Sequence, residues 1–282
     1  MSRCRRACLI IALVAGIPLK ASAATDFAAC LDGIRDTARE RDVSAQTVDR
    51  LLSDVTPSDR VIELDRRQPE FTTSLHDYLA ARVDRGRIRR GRELLSEHAD
   101  LLARIEREYG VPARYLVAFW GLESNYGRTT GTMSTVRSLA TLACDRRRGD
   151  FFRAELIAAL QLVDDTTLSA GQLQGSWAGA LGNFQFLPSV YRRHAVDADG
   201  DGRIDLWDSL PDAAESAANF LRARGWRPEE RWGREVRLPD GFDYGLAETE
   251  RSVADWRGLG LRQANGDRLP VADLTARLIV PA

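Results

Sequence analysis

The sequence predicts a mainly α-helical protein of the α+β class, with its strands confined to the C-terminal part. Apolar residues recur at helical spacing through most of the chain from Asp26 to Arg224. Ser, Gly and Pro stand where these helices should begin and end. From Arg231 onward, short alternating segments bounded by Pro, Gly and Asn indicate strands and turns.

The first 23 residues have the pattern of a secretory signal peptide. A basic start precedes an apolar run from Leu9 to Leu19, and the small residues 21–23 provide a cleavage pattern. We expect cleavage after Ala23 and export to the periplasm as a soluble monomer, with membrane contact only through the uncleaved signal. An uncleaved anchor is one alternative. A lipoprotein is another and would require lipidation of Cys30, which polar residues separate from the apolar run.

Loss of residues 1–23 would change the formal charge from −1 to −5, because this segment carries four cations and no acid. The basic clusters at 87–90 and 146–148 have acids nearby, so the chain lacks the basic tract of a nucleic-acid-binding protein. We therefore expect no nucleic-acid partner. His76, His98 and His194 are too scattered to indicate a metal site.

Two cysteines, Cys30 and Cys144, would remain in the exported chain. In an oxidising compartment they favour one disulfide that ties the N-terminal segment to the middle of the chain. The loop is long, so this bond would stabilise the fold by roughly 3–5 kcal/mol in the chain-entropy model. Two unpaired, buried thiols are the alternative.

The helical patterns follow one another with few interruptions. The longest is expected to break at Gly86, to end at the C-cap Gly110, and to be followed by a helix that starts near Pro112. Ser44, Ser134 and Ser209 are expected N-caps. The predicted helices span 26–41, 44–52, 72 or 73–109, 112–123, 134–143, 149–164 and 210–224, and the predicted strands span 235–238 and 277–280.

Glu123 ends the apolar run Tyr115–Leu122. In a helix it shares one face with Leu116, Phe119 and Trp120, which predicts a buried carboxyl group. Burial would raise its pKa, and an acid that stays protonated near neutral pH can protonate a glycosidic oxygen. The alternative is a Glu at a frayed helix end that reaches water.

Two further segments have the chemistry of a sugar site. Residues 146–152 place arginines next to Phe151 and Phe152, and residues 175–189 combine glycines with aromatic residues and hydrogen-bonding side chains. A sugar needs stacking on its apolar face and polar partners for its hydroxyl groups. Ser176, Asn183 and Gln185 offer those partners. A Gly-rich turn that packs helices together explains the second segment equally well.

Residues 197–208 match an EF-hand loop. Short carboxylates stand at positions 1, 3 and 5, Gly202 makes the sharp turn at position 6, and acids stand at positions 9 and 12. This predicts a structural Ca²⁺ held by the carboxylates and one backbone carbonyl, whereas the alternative is a solvated Asp/Gly turn. The predicted ligands are Asp197, Asp199, Asp201, the carbonyl of Arg203, Asp205 and Asp208.

Together these motifs resemble the lytic murein transglycosylase B family, exported bacterial enzymes that cleave peptidoglycan. The resemblance covers about residues 27–232 and extends more loosely into the tail. It rests on these strings: Val111-Pro112, Trp120–Ser124, Ala140–Ala143, Gly175-Ser176, Gln185–Ser189, the loop 197–208, Asn219–Leu221 and Gly225-Trp226.

The resemblance implies a lysozyme-like helical core with an N-terminal helical domain and a small, incomplete β domain. The implied segments are a signal peptide (1–23), the N-terminal helical domain (24–110), the catalytic core with its EF-hand-like loop (111–230) and the partial β domain (231–282). Related proteins continue into a further core segment rich in Asn and Tyr. None follows Ala282, so we expect a truncated chain or a short variant.

The resemblance also implies the roles of individual residues. Glu123 would be the sole catalytic acid/base, Ser176 and Gln185 would line the saccharide groove, and Arg147 and Arg148 would lie at its edge. Phe151 and Phe220 occupy groove positions where the family can carry Tyr, so stacking would survive without the phenolic hydrogen bond. Calcium would be structural, and no organic cofactor is implied.

The predicted function is cleavage of the β-1,4 bond between N-acetylmuramic acid and N-acetylglucosamine in peptidoglycan strands, with 1,6-anhydromuramic acid ends as product. Other cell-wall enzymes are candidate partners. The competing hypotheses are a lysozyme-type hydrolase, a non-catalytic peptidoglycan-binding or scaffold protein, and a calcium-binding structural protein without a sugar site.

Overall fold

A computed structural model describes residues 20–67, 73–166, 168–169, 171–230 and 233–280. Most of the predicted signal peptide lies outside these residues, so its cleavage after Ala23 stays a prediction. Among the helices in the described ranges, we find none with the length and hydrophobicity that a bilayer crossing requires.

The described part of the chain is mostly helical, as the sequence predicted. The N-caps Ser44, Ser134 and Ser209 each accept a backbone N–H from the first turn of their helices, and Gly110 ends a helix in the left-handed conformation at φ 70°. The helices are α1 (Lys20–Glu40), α2 (Ala45–Leu52), α3 (Asp59–Arg66), α4 (Leu75–Arg82), α5 (Arg85–Glu97), α6 (Ala99–Tyr109), α7 (Ala113–Ser124), α8 (Thr135–Ala143), α9 (Gly149–Asp165), α10 (Pro188–His194), α11 (Leu210–Ala223) and α12 (Val253–Gly258).

The long helix predicted to end at Tyr109 is three helices, α4, α5 and α6. The expected break near Gly86 exists, but it lies at residues 83–84. Asp84 accepts the N–H groups of Gly86 and Arg87 and so caps α5, which places Gly86 inside the first helical turn. A second break lies at His98, which ends α5 and precedes α6.

Three helices were not predicted: α3, α10 and α12. Each has eight residues or fewer, too few to establish a helical period. The helix α10 begins at Pro188 with Ser189 in its first turn, at the end of the segment that was interpreted only as a sugar site. Its N-terminus is held by Glu155, which accepts hydrogen bonds from both the N–H and the Oγ of Ser189.

The strands are short, and each pairs antiparallel with one other strand. The pair β1 (Met133–Ser134) and β2 (Gln174–Gly175) lies within the helical part. In residues 233–280, β3 (Val236–Arg237) pairs with β5 (Arg262–Gln263), and β4 (Glu250–Ser252) pairs with β6 (Thr275–Arg277). The strand predicted at 235–238 therefore exists in shorter form, whereas the one predicted at 277–280 is displaced, because β6 shares only Arg277 with it.

Two apolar cores support this arrangement. The larger one contains buried residues from Leu31 to Ala218, on both sides of the boundary predicted at 110/111. A small separate core within 233–280 is formed by Trp256, Leu261, Leu269 and Leu278. The domain boundaries remain predictions.

A disulfide joins α1 to the end of α8 within the larger core. Cys30 in α1 is bonded to Cys144, the residue that ends α8, with their Cα atoms 5.9 Å apart. The two cysteines are 114 residues apart in sequence. The structure thus contains the bond predicted from the cysteine count.

Candidate active site

Helix α7 carries Glu123 in its last turn. The helix begins after Pro112 and ends at Asn125, which adopts the left-handed conformation at φ 51°. Ser124 is fully buried, and its Oγ donates to the carbonyl of Asn183 at 2.6 Å. The end of α7 is therefore fixed by a residue next to Glu123.

The side chain of Glu123 is exposed, so the prediction that it lies on the buried face of α7 is wrong. The buried residues of this helix are Leu116, Val117, Gly121 and Ser124, whereas Leu122 and Glu123 lie on the open side. Packing against the other helices, rather than the hydrophobicity of the run alone, decided which face points inward.

Burial by the surrounding protein nevertheless raises the pKa of the Glu123 carboxyl, and the positive charge of Arg82 partly opposes this effect. Solvent thus reaches the carboxyl from one side while its hydration is reduced on the others. In the described part of the chain, no hydrogen bond or ion pair holds the carboxyl group. The structure thus agrees with the predicted rise of the Glu123 pKa but not with the predicted burial of this side chain.

Two loops meet beside the end of α7. Residues 125–134 lead from α7 to β1, which pairs with β2 just before Ser176. A Cβ atom at Gly131, where φ is 91°, would collide with the backbone of Gly175. Only glycine permits this approach.

Gln185 links the same two loops. Its Nε2 donates to the carbonyl of Thr130 at 3.0 Å and to that of Gly182 at 2.9 Å. Its backbone has φ 50°, which is unusual for a residue other than glycine. Both N–H groups of the amide are therefore used within the protein, and its Oε1 is left as the atom for a ligand.

Ser176 begins the turn that follows β2. Its Oγ accepts the N–H of Ala180 at 3.1 Å, and the side chain is half-buried. The hydroxyl hydrogen remains available as a donor. Ser176 and Gln185 thus belong to a segment that contacts the end of α7, the helix that carries Glu123, and the loop that follows it.

Asn183 is different from these two residues. It is 5% exposed, and every polar group of its side chain is bonded to protein. The interpretation of Asn183 as a hydrogen-bonding partner for sugar is therefore wrong.

Arg147 and Arg148 lie at the corner between α8 and α9, and both are half-exposed. Asp65 of α3, which is 3% exposed, binds both guanidinium groups, with Oδ2 at 3.3 Å from Nε of Arg147. No contact between described residues joins this pair to Glu123. Sequence reasoning missed Asp65, although its position four residues after the buried Val61 marked it as an acid on an apolar helix face.

The two predicted stacking residues differ in exposure. Phe151 is 47% exposed and lies edge-on to Phe152, with 5.1 Å between the ring centroids. Phe220 is half-buried and packs against Phe186 and His194, with 5.5 Å between centroids in each pair. Phe151 thus presents more ring surface to a ligand than Phe220 does.

The loop 197–208 brings carboxylates together, but the residues in this group differ from the predicted set of ligands. One oxygen each of Asp197, Asp199 and Asp212 lies within 4.8 Å of the other two. Asp212, in the first turn of α11, is 1% exposed and accepts the backbone N–H groups of Ala198 and Asp205. Sequence reasoning missed it because the twelve-residue template ends at Asp208.

The remaining predicted ligands are not members of this group. Asp201 accepts the N–H of Arg203, and Asp205 accepts those of Trp207 and Asp208, so these carboxylates shape the loop itself. Asp208 precedes the Ser209 cap of α11 and does not belong to the group, so its role as the last ligand stays a prediction. Three converging carboxylates, one of them buried, are a donor set that fits a hard cation such as Ca²⁺.

The sequence of this chain is similar to those of known proteins. A sequence profile of the family described as the transglycosylase SLT domain matches residues 26–282. Membrane-bound lytic murein transglycosylase B of Escherichia coli is 37% identical over 172 residues, which is 59% of this chain and 46% of that protein. The chain thus spans about half the length of this curated relative.

Solved structures match over more of the chain. SltB3 of Pseudomonas aeruginosa, crystallised with NAG-anhNAM-pentapeptide, is 43% identical with a TM-score of 0.82, over 90% of this chain and 69% of that one. The Escherichia coli lytic transglycosylase Slt35, in complex with calcium, is 28% identical with a TM-score of 0.75, over 90% of this chain and 79% of that one. The lysozyme-like, mainly helical fold implied by the resemblance is confirmed by these matches.

Proposed function

The chain belongs to the transglycosylase SLT domain family, and on that premise we propose that it is a lytic transglycosylase of peptidoglycan. It would cleave the β-1,4 bond between N-acetylmuramic acid and N-acetylglucosamine and leave 1,6-anhydromuramic acid ends. The relative SltB3 was crystallised with NAG-NAM-pentapeptide and with its anhydro counterpart, which supports this substrate class.

One observation carries the proposal: the carboxyl of Glu123 is accessible to solvent at the end of α7, burial raises its pKa, and no hydrogen bond or ion pair to a described residue holds it. Hydrolytic glycosidases generally use two carboxyl groups across the scissile bond. A lone acid with a raised pKa suits a mechanism in which one residue serves first as acid and then as base.

In the first step, protonated Glu123 gives its proton to the glycosidic oxygen, and the bond between that oxygen and the anomeric carbon breaks. The acetamido group of the sugar stabilises the positive charge that develops at this carbon. In the second step, ionised Glu123 takes the proton of the C6 hydroxyl group while O6 bonds to the anomeric carbon. Glu123 is protonated again, the anhydro ring is closed and no water is consumed. An intramolecular nucleophile reacts at a high effective concentration when the sugar is held correctly.

The remaining residues would bind the glycan strand. Ser176 would donate its hydroxyl hydrogen, Gln185 would accept through Oε1, and Phe151 would stack on a sugar ring. Arg147 and Arg148 carry two positive charges against the single charge of Asp65 and would interact with anionic groups of the substrate. Phe220 would contribute mainly through packing, because it is half-buried between Phe186 and His194.

Calcium would be held by Asp197, Asp199 and Asp212. Its chemistry there would be structural: a dication would offset most of the negative charge of the three clustered carboxylates and would hold α11 and the loop together. The calcium complex of Slt35 supports this choice of ion. We further propose export to the periplasm by residues 1–23, where peptidoglycan is accessible.

The experiment that tests this function compares wild type with Glu123→Gln on purified peptidoglycan. We expect wild type to release anhydro-muropeptides and the variant to lose about a hundredfold to ten-thousandfold in rate, the range of a general acid–base group. Binding to sacculi should persist. Mass spectrometry identifies the product, because an anhydro end is lighter than a reducing end by one water.

The matched control is Glu229→Gln, which changes an exposed Glu without an ion pair to any described residue. It should keep the wild-type rate. Release of anhydro products by Glu123→Gln at the wild-type rate would contradict the assignment. Reducing ends from wild type would identify a hydrolase, and binding without solubilisation would identify a non-catalytic peptidoglycan-binding protein.

A further inference from the structure

Asn183 connects the last turn of α7 to the loop that carries the calcium-site carboxylates. Its Nδ2 donates to the carbonyl oxygens of Leu206 at 3.0 Å and Trp207 at 2.7 Å. Its Oδ1 accepts the indole N–H of Trp120 at 2.7 Å. The side-chain amide therefore bridges two elements that are distant in sequence.

The backbone of Asn183 also links the end of α7 to the 197–208 loop. Its N–H donates to the carbonyl of Leu206 at 2.8 Å, and its carbonyl accepts the Oγ of Ser124 at 2.6 Å. Asn183 is 5% exposed and Ser124 is 0% exposed, so water does not compete for these bonds.

The two residues of α7 that Asn183 holds lie on either side of Glu123 in sequence. Trp120 and Ser124 are four residues apart and share one helix face, and Glu123 projects roughly 60–100° around the helix axis from them. Fixing Trp120 and Ser124 prevents the last turn from rotating. The direction of the Glu123 side chain is thereby fixed without any contact to its carboxyl group.

Gly127 provides independent evidence that the position of Asn183 is closely determined. A Cβ atom at Gly127 would lie 2.5 Å from the Oδ1 of Asn183, and the φ of Gly127 is 79°. The chain that leaves α7 thus passes against the Asn183 amide at a point that only glycine permits. The N–H of Gly127 also donates to the Oγ of Ser124 at 2.9 Å, which completes a closed network.

We infer that Asn183 is a positioning residue that fixes the Glu123 carboxyl relative to the 197–208 loop. The inference rests on the proposed function, because it assigns Asn183 a part in that reaction. Asn183 acts through Trp120 and Ser124 on one side and through Leu206 and Trp207 on the other. An amide is required, since only this side chain of that size combines one acceptor with two donors.

The test uses the full chain and three single variants. Asn183→Asp keeps the shape but sets a carboxylate oxygen against the two loop carbonyls. Trp120→Phe keeps an aromatic ring and removes the donor on the α7 side. The matched control is Tyr191→Phe, which removes a buried bond from Tyr191 to the carbonyl of Ile204 in the same loop. The Tyr191 ring lies 6.4 Å from the ring of Trp207, and phenylalanine keeps this ring contact, so the variant leaves the hydrogen bonds of Asn183 in place.

We expect Asn183→Asp and Trp120→Phe to lower kcat for anhydro-muropeptide release by roughly tenfold to a hundredfold, the scale of a misplacement of about 1 Å. KM should stay within about twofold, since the saccharide contacts remain. Tyr191→Phe should lower Tm to a similar extent while kcat stays within about twofold of wild type. The double variant of Asn183 and Trp120 should lose no more than the worse single variant, because both remove the same connection.

A second measurement does not depend on activity. It is fluorine NMR of protein labelled with 5-fluorotryptophan. The resonance of Trp120 is identified because it is missing from the spectrum of Trp120→Phe. Asn183→Asp should shift that resonance, and Tyr191→Phe should leave it in place.

The outcomes separate this inference from the proposed function. If kcat falls equally in Tyr191→Phe and in the two network variants, Asn183 has no positioning role. The same conclusion follows if the fold-loss of kcat in the double variant equals the product of the fold-losses in the two single variants. Should Asn183→Asp fail to fold, Trp120→Phe alone decides between these results. If wild type releases no anhydro product, the proposed function fails, and an unshifted Trp120 resonance in Asn183→Asp would overturn the network as well.

Discussion

At the residue scale, the carboxyl of Glu123 combines access to solvent with incomplete hydration. A glycan strand can reach it, yet the surrounding protein makes its charged form costly. Burial is the largest cause of its raised pKa, and Arg82 reduces the shift. Because the folded state disfavours the ionised carboxyl, this group lowers the stability of the fold at neutral pH.

Glu123→Gln should therefore raise Tm at pH 7. An unfolded Glu has a pKa of about 4.3, and the folded pKa is higher, so the folded state binds more protons between these two values. Stability is then lost as pH rises through this window, and the loss is complete above the folded pKa. At about pH 3.5, below both pKa values, the carboxyl is neutral in both states. The gain in Tm should vanish there.

Calorimetric scans of wild type and variant at both pH values measure this difference. Glu229→Gln serves again as the control and should show no gain at either pH. An equal Tm for Glu123→Gln and wild type at pH 7 would mean that the Glu123 carboxyl carries no desolvation cost.

At the element scale, the first turn of α11 is bonded to the 197–208 loop. Asp212 accepts N–H groups from Ala198 and Asp205 of that loop and lies in the group with Asp197 and Asp199. Without a cation these carboxylates repel one another, so an ion that binds them should stabilise the folded state by mass action.

Calcium at a hundred times its Kd should raise Tm by about 5–10 °C, the equivalent of about 2.7 kcal/mol. Chelation should reverse the gain. Differential scanning fluorimetry with and without Ca²⁺ measures it. Asp212→Asn should abolish the calcium-dependent part of Tm, whereas Asp208→Asn should retain it, because Asp208 is not in the group. The opposite pattern in the two variants would restore Asp208 as the ligand.

At the scale of the whole molecule, the disulfide is a covalent link between α1 and the end of α8. It joins Cys30 to Cys144 across 114 residues of sequence. Cys144 lies three residues before Arg147, so the bond also holds the α8–α9 corner where the two arginines bind Asp65.

Replacing both cysteines with serine should lower the free energy of unfolding by roughly 3–5 kcal/mol. The reason is that the disulfide closes a long loop, and without it the unfolded chain has more conformational entropy. Urea unfolding under oxidising conditions measures the change. Wild type treated with a thiol reductant is the matched comparison and should unfold at the midpoint of the serine variant. Coincident midpoints for oxidised wild type and the variant would show that the bond does not contribute.

The sequence by itself determined the features that depend on local pattern. Helical periodicity and the caps at Ser44, Gly110, Ser134 and Ser209 fixed most helices, and the motif around Glu123 identified the family. These signals lie within a few residues of one another, and their physical causes, helix capping and the spacing of apolar side chains, act over the same short range. Cys30 and Cys144 were sufficient to predict the disulfide, because the predicted loss of residues 1–23 leaves no other cysteine.

Only the tertiary structure decided which side chains meet across the fold. It places Glu123 on the open side of α7, binds Arg147 and Arg148 to Asp65, and brings Asp212 into a group with Asp197 and Asp199. In addition, every polar group of the Asn183 side chain is hydrogen-bonded within the protein. Each of these results depends on contacts between residues far apart in the chain, and such contacts are set by how the helices pack rather than by the spacing within any one of them.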